Sequence, residues 1–81
     1  MIDFSLNREA VAQVTIYNFK GVVVRRLAVD ATCRAGSNLF SWNQRDELGS
    51  KVAAANYLVE VKVQAVNGSS DGATRIVNIK R

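Results

Sequence analysis

The ten residues from Tyr57 to Val66 (YLVEVKVQAV) constrain the fold of this chain more than any other segment. Their hydropathy alternates with a period of two, which places one set of side chains on each face of an extended strand. The apolar face carries Tyr57, Val59, Val61, Val63 and Ala65, and the wetter face carries Leu58, Glu60, Lys62, Gln64 and Val66. A strand with one wet face buries the other face against a second layer. The pattern therefore predicts a small β-sandwich that presents a surface.

The length of 81 residues leaves room for one domain, which we expect to span residues 1–81. With 48% hydrophobic and 22% charged residues, the composition is that of a folded protein. No apolar run is long enough to cross a membrane, and the amino terminus does not resemble a secretory signal. Because Met1 stands almost directly before the first predicted strand, we expect an excised domain or a processed mature chain.

The net charge of +4 would indicate an anionic partner only if the basic residues were clustered. They are scattered, and the adjacent Arg25 and Arg26 point to opposite faces of any strand. Aromatic residues are not interleaved with them, as stacking on single-stranded bases would require. These features favour solvated strand faces over a nucleic acid, an acidic polymer or a lipid surface. We expect no nucleic-acid partner and no membrane span.

Catalytic chemistry has little support in this composition. Histidine is absent, which removes the usual base for a serine or cysteine nucleophile and the commonest transition-metal ligand. The lone Cys33 cannot form an intramolecular disulfide, so we interpret it as a small buried or half-buried thiol, with intermolecular pairing as the alternative. We expect no enzyme activity, no cofactor, and no catalytic, cofactor-binding or metal-binding residues.

The segment after Trp42 predicts a tight turn. Asp46 and Gly49 are spaced as in an Asx-type turn, in which the aspartate accepts hydrogen bonds from nearby backbone N–H groups. A calcium site at Asp46 and Glu47 is the alternative, although two adjacent acids without further ligands are a weak pattern for calcium.

The amino-terminal half predicts three strands. Ile2, Phe4 and Leu6 belong to the first strand, and the second follows after a polar turn, so we expect these two to pair as a hairpin. Asn18 to Gly21 supplies the next turn. In the third strand, Val22 to Asp30, the alternation breaks. A β-bulge near Arg25 and Arg26 would direct Val24 and Leu27, which are three positions apart, into the core. In the second strand, the apolar face carries Ala12, Val14 and Ile16.

The remaining segments complete the sandwich. Ala31 to Ser37 is predicted as a loop, and Asn38 to Asn43 as a strand that places Trp42 at the centre of the core. Residues 50–53 could form a short extra strand, so we expect six or seven strands in total. The last hairpin crosses residues 67–72, after which Val77 and Ile79 close the core. We expect the first and last strands to lie at sheet edges.

A set of residues in this order resembles the immunoglobulin-like domain of the bacterial flagellar hook-capping protein. The set is Tyr17, Gly21, Val24, Leu27, Ala35, Gly36, Trp42, Arg45, Asp46, Gly49, Val52 and Tyr57. This chain has Asn43 and Gln44 where the family has Asp and Gly, and Ala55 where the family has Gly. Because Asn tolerates left-handed backbone, we expect Asn56 to replace part of the role of that glycine.

The resemblance implies an all-β fold, an immunoglobulin or fibronectin III-like β-sandwich of six or seven antiparallel strands. It also implies a non-catalytic structural or protein-interaction module of an extracytoplasmic bacterial protein, at the cell surface or outside the cell. Such a module would act in flagellar hook assembly or as a carboxy-terminal accessory or sorting domain. Its partner would be another protein, or further copies of itself, bound through edge strands or a sheet face. The alternative is a carbohydrate-binding module, with Tyr17 and Phe19 as the exposed rings.

Overall fold

The computed structural model describes residues 2–65, 68 and 70–80, and this part of the chain contains six strands and no helix. The strands are β1 Ile2–Leu6, β2 Ala10–Tyr17, β3 Val23–Cys33, β4 Gly36–Phe40, β5 Ala55–Ala65 and β6 Ser70–Ile79. The predicted all-β sandwich is confirmed, with six strands in the described residues. Residues 50–53 do not form a seventh strand, since only Lys51 makes an isolated bridge, to Arg45. Within these ranges no helix is long and apolar enough to span a membrane.

The strands form two antiparallel sheets, one of four strands in the order β3-β2-β5-β6 and one formed by β1 and β4. The prediction that β1 and β2 form a hairpin is wrong, because β1 pairs with β4, where Phe4 lies opposite Asn38. The three residues between β1 and β2 carry the chain from one layer to the other. The rings of Phe4 and Phe40 stack with their centroids 5.7 Å apart, which joins β1 to β4. As predicted, β1 and β6 lie at sheet edges.

The core lies between the two sheets. Its largest fully buried side chains are Val14 and Ile16 of β2 and Val59 of β5, the two central strands of the larger sheet. Trp42 is only partly buried and packs at the border of this cluster, so its predicted place at the centre of the core is wrong. The reason is that β4 ends at Phe40, and the Trp42 indole follows the chain into the next turn.

Strand β3 contains the predicted irregularity. Tyr17 pairs with Val23 and Ile16 pairs with Arg25, so Val24 is an extra residue in the ladder. A second shift leaves Leu27 unpaired in the same way. Val24 and Leu27 both pack against the core, as the bulge hypothesis required. A third shift follows between Ala28 and Ala31.

The predicted loop at Ala31 to Ser37 is wrong. Strand β3 continues to Cys33, which pairs with Ala10, and β4 begins at Gly36. The ladder continues because small side chains of β3 fit beside the buried alanines of β2. The chain crosses between sheets in only two residues, and there the Asn38 amide donates to the Arg34 carbonyl at 2.8 Å.

Strands β5 and β6 confirm the alternation from which the fold was predicted. Tyr57, Val59 and Val61 are buried, whereas Lys62 and Gln64 of the opposite face are exposed. In β6, Val77 is half-buried and Ile79 is buried, so these two residues close the core as expected. Of the predicted final turn, Gly68 and residues 70–72 are described, and residues 67 and 69 lie outside the described part, as does Val66 of the wetter face.

Candidate functional site

The turn after Trp42 is held by Asp46. Its Oδ1 accepts hydrogen bonds from the backbone N–H groups of Leu48 and Ser50, both at 2.9 Å. Gly49 has a φ of 84°, a left-handed conformation that glycine adopts without strain. The predicted Asx-type turn is confirmed. Within the described ranges no group of three or more potential ligands could hold a metal ion, and the calcium alternative gains no support there.

Gln44 occupies the left-handed conformation where the resembling family has glycine, with a φ of 62°. Residues other than Gly, Asn and Asp rarely adopt this left-handed backbone conformation. Asn56, which was expected to take such a conformation, does not. It lies in β5 opposite Asn78, and the Asn78 amide donates to its Oδ1 at 2.6 Å. The left-handed position that corresponds to a family glycine is therefore Gln44, before Asp46, and not Asn56.

The same turn covers one edge of the larger sheet. Glu47 Oε1 accepts from the Arg26 backbone N–H at 2.6 Å, and the Glu47 N–H donates to the Val24 carbonyl at 3.1 Å. The Arg25 guanidinium donates to the Asp46 carbonyl at 3.3 Å. These bonds satisfy edge groups of β3 that would otherwise be available to another strand.

The two aromatic residues that bracket this turn stabilise it from the core side. The Trp42 indole N–H donates to the Arg45 carbonyl at 3.0 Å, and its ring meets that of Tyr57 edge-on at 5.6 Å and 74°. The Tyr57 hydroxyl donates to the Ala53 carbonyl at 2.7 Å. Each polar end of these large rings has a partner, which is how such residues are usually buried. Of the residues that carry the family resemblance, Trp42 and Tyr57 therefore have a structural role.

Cys33 is a buried free thiol, as expected, with 2% of its surface exposed. Burial raises the pKa of this thiol. A thiol that is buried and protonated is a poor nucleophile, so intermolecular pairing would first require β3 to open.

The outer face of the four-stranded sheet carries a continuous apolar row. Val23, Tyr17, Leu58 and Ile76 lie opposite one another on four adjacent strands, and we call them the outer row. Ile76, on the edge strand β6, is 66% exposed. The row lies on the face opposite the core, since the neighbouring positions Ile16 and Val59 are buried. An apolar row on a solvated sheet face is typical of a protein-interaction surface.

Charged groups border the outer row. The Tyr17 hydroxyl donates to Glu60 Oε1 at 3.2 Å, and the Lys62 ammonium lies 3.6 Å from the same oxygen. Both charged residues project from the same face of β5 as Leu58. An apolar centre with a polar border matches the anatomy of protein interfaces. Sequence reasoning placed Leu58 on the wet face but missed the row, because its members come from four strands whose register the sequence does not show.

The aromatic residues do not form a carbohydrate platform. Phe19 is 60% exposed in the turn between β2 and β3, but Tyr17 is half-buried and its hydroxyl is bonded to Glu60. Phe4, Phe40, Trp42 and Tyr57 are buried or half-buried. A single exposed ring does not provide the flat stacking surface that the carbohydrate alternative requires.

Comparison with known proteins identifies the family of this chain. The model of the FlgD Ig-like domain matches residues 1–69 of the chain. The chain belongs to this family. No curated protein matches it significantly. The crystal structure of FlgD from P. aeruginosa superposes with a TM-score of 0.76 at 25% sequence identity, over 93% of this chain and 57% of that one.

Membership in the FlgD Ig-like family confirms the resemblance seen in the sequence and the fold class that it implied. The family is structural, and this FlgD Ig-like domain is not an enzyme, as expected. The domain spans little more than half of the solved FlgD chain.

Proposed function

We propose that this FlgD Ig-like domain is a non-catalytic module of flagellar hook assembly and works outside the cytoplasm. The proposal depends on one structural observation, the apolar outer row on the solvated sheet face, in which Ile76 is exposed and the other three residues are half-buried. Family membership supports the hook role, because FlgD is the hook-capping protein. No feature of the described residues favours an accessory or sorting role.

The outer row would bind a protein neighbour during assembly. A row that runs across all four strands offers an apolar strip with Ile76 at its open end. The opposite end lies beside the edge of β3, which Glu47 already covers. A partner would therefore approach over β5 and β6. Burial of an aliphatic side chain such as Ile76 in an interface contributes on the order of 2 kcal/mol.

A domain exchange tests the hook role. The Ig-like region of P. aeruginosa FlgD would be replaced by this chain in a strain that lacks its own FlgD, and hooks would be counted by electron microscopy. We expect the exchanged protein to support hook formation. A chimera that folds and is exported but forms no hooks would contradict the hook role.

Two substitutions in the chimera test the surface. Ile76→Asp places a charge in the outer row and should reduce hook formation, whereas Thr74→Asp changes an exposed residue on the same face of the same strand and should not. If the two variants form hooks equally well, the outer row is not the binding surface, and the hook role would then depend on family membership alone.

A further inference from the structure

Asp71 and Gly72, near the start of the edge strand β6, form the only Asp-Gly pair in the sequence. In such a pair the backbone nitrogen of the glycine can attack the side-chain carboxyl carbon of the aspartate, because the glycine has no Cβ to hinder the approach. A strand opposes this reaction where its ladder holds the N–H group away from the side chain. The geometry at Gly72 is different.

The Gly72 N–H group is directed at the Asp71 carboxylate and donates to Asp71 Oδ1 at 2.8 Å. The carboxyl carbon is bonded to this oxygen and therefore lies beside the same nitrogen. Reacting groups that are held in contact react faster than groups that must first meet. The N–H group that follows Asp46 is placed differently, because Glu47 donates to the Val24 carbonyl at 3.1 Å.

Solvent reaches this part of β6, since Asp71 and Gly72 are both exposed. Within the described residues β6 has a neighbouring strand only on its β5 side, so a change of backbone at this position displaces no strand on the other side. The directed N–H group, the exposure and the edge position together favour reaction of this pair in the folded domain.

We propose that the Asp71–Gly72 bond is a site of spontaneous aspartate isomerisation. The Gly72 nitrogen bonds to Asp71 Cγ, and the hydroxyl of the protonated carboxyl group leaves as water with the proton from that nitrogen. The product is a succinimide ring. A water molecule then adds to the main-chain carbonyl of Asp71 and breaks its bond to the nitrogen, which leaves an isoaspartate whose chain runs through Cγ. One water leaves and one enters, so the mass is unchanged.

Isomerisation alters β6 only at its start. It adds one methylene group to the backbone and leaves the α-carboxylate as the side group. Asp71 pairs with Val63, and Ser70 alone is paired before it in the strand. The pairs from Gly72 onward, among them Ile76 with Leu58 in the outer row, keep their register. The modification therefore records the age of the domain without removing the outer row, and this inference is independent of the proposed function.

Peptide mapping with an oxygen isotope tests the proposal. The folded domain is incubated in H₂¹⁸O, transferred to ordinary water and digested with trypsin, which releases residues 63–75 as one peptide. Electron-transfer fragmentation distinguishes isoaspartate from aspartate, and each passage through the succinimide introduces one ¹⁸O atom at residue 71. Fragment ions separate this signal from deamidation of Asn67, which lies in the same peptide and changes its mass.

Two variants isolate the chemistry. In Gly72→Ala the added methyl group would lie 3.4 Å from the Val61 carbonyl oxygen and 3.7 Å from Lys62 Cγ, which are ordinary contact distances. This variant therefore keeps the fold and hinders only the nitrogen. Asp71→Glu keeps the charge but would have to close a larger ring. Circular dichroism verifies that each variant is folded.

We expect ¹⁸O and isoaspartate at residue 71 of the folded wild-type domain, at a rate at least equal to that of a synthetic peptide of residues 63–75. Gly72→Ala should slow the reaction severalfold, and Asp71→Glu should abolish it. A rate in the folded domain below that of the peptide would overturn the proposal, because the strand would then protect the bond. Equal rates in wild type and in either variant would overturn it as well.

Discussion

Replacing Gln44 by glycine should stabilise this domain, although most substitutions destabilise proteins. Gln44 has a φ of 62°, and a left-handed conformation costs an ordinary L-residue roughly 1–2 kcal/mol. Glycine adopts it without that cost but makes the unfolded chain more flexible, which subtracts about 0.4–1 kcal/mol. The Gln44 carbonyl accepts from the Val52 N–H at 3.0 Å, and glycine preserves this backbone bond.

The free energy of unfolding of Gln44→Gly should therefore exceed that of the wild type by about 0.5–1 kcal/mol. For a domain of this size that gain raises the melting temperature by roughly 2–8 °C. Urea unfolding followed by tryptophan fluorescence measures the free energy directly, because Trp42 is the only tryptophan in the sequence and its ring contacts Tyr57.

Asn56→Gly is the matched control. Asn56 has extended backbone in β5, so glycine there only adds flexibility to the unfolded chain and removes the bond from Asn78. The free energy of unfolding of this variant should be lower than that of the wild type by about 1 kcal/mol. If Asn56→Gly stabilised the domain and Gln44→Gly destabilised it, the assignment of the left-handed position would be wrong.

Three further predictions concern the turn, the thiol and the last strand. Asp46→Ala should lower the free energy of unfolding in urea by about 2 kcal/mol, because two backbone N–H groups lose their acceptor. Asp46→Asn keeps an acceptor oxygen and should lower it less. Equal losses in the two variants would refute this role of Asp46. Burial raises the pKa of Cys33 above its ordinary value of 9.0, so the unfolded thiol ionises first and stability should fall as the pH rises through 9.0. Cys33→Ala should remove that dependence, and rapid labelling of the native thiol by a disulfide reagent would contradict its burial. Val77→Lys should unfold the domain by placing a charge against the core, whereas Asn78→Lys, on the exposed face, should keep the native circular dichroism and lower the melting temperature only slightly, because it removes the amide bond to Asn56.

The parts of the fold that follow from local alternation could be predicted from the sequence. Val59 and Val61 alternate with charged neighbours, and this period of two was sufficient to assign their face. The bulge in β3 could also be inferred, because Val24 and Leu27 cannot share a face of a regular strand.

The pairing of strands could not be predicted in the same way. β1 and β2 are neighbours in sequence, yet a polar link of three residues could join them whether they pair or cross between layers. The crossing depends on long-range contacts between β1 and β4, among them the stacking of Phe4 on Phe40. The outer row depends on the register of four strands, which no local pattern determines. The position of Trp42 depends on where β4 ends, and the ends of elements are the part of a fold that sequence patterns predict least reliably.

The most direct test of this account is a titration of the ¹⁵N-labelled domain with purified flagellar hook protein, followed by backbone amide chemical shifts. The account predicts shifts concentrated at Tyr17, Leu58 and Ile76 of the outer row, and their loss in the Ile76→Asp variant but not in Thr74→Asp. Absence of any shift at concentrations where hook protein is in large excess, or shifts confined to the turn around Asp46, would contradict it.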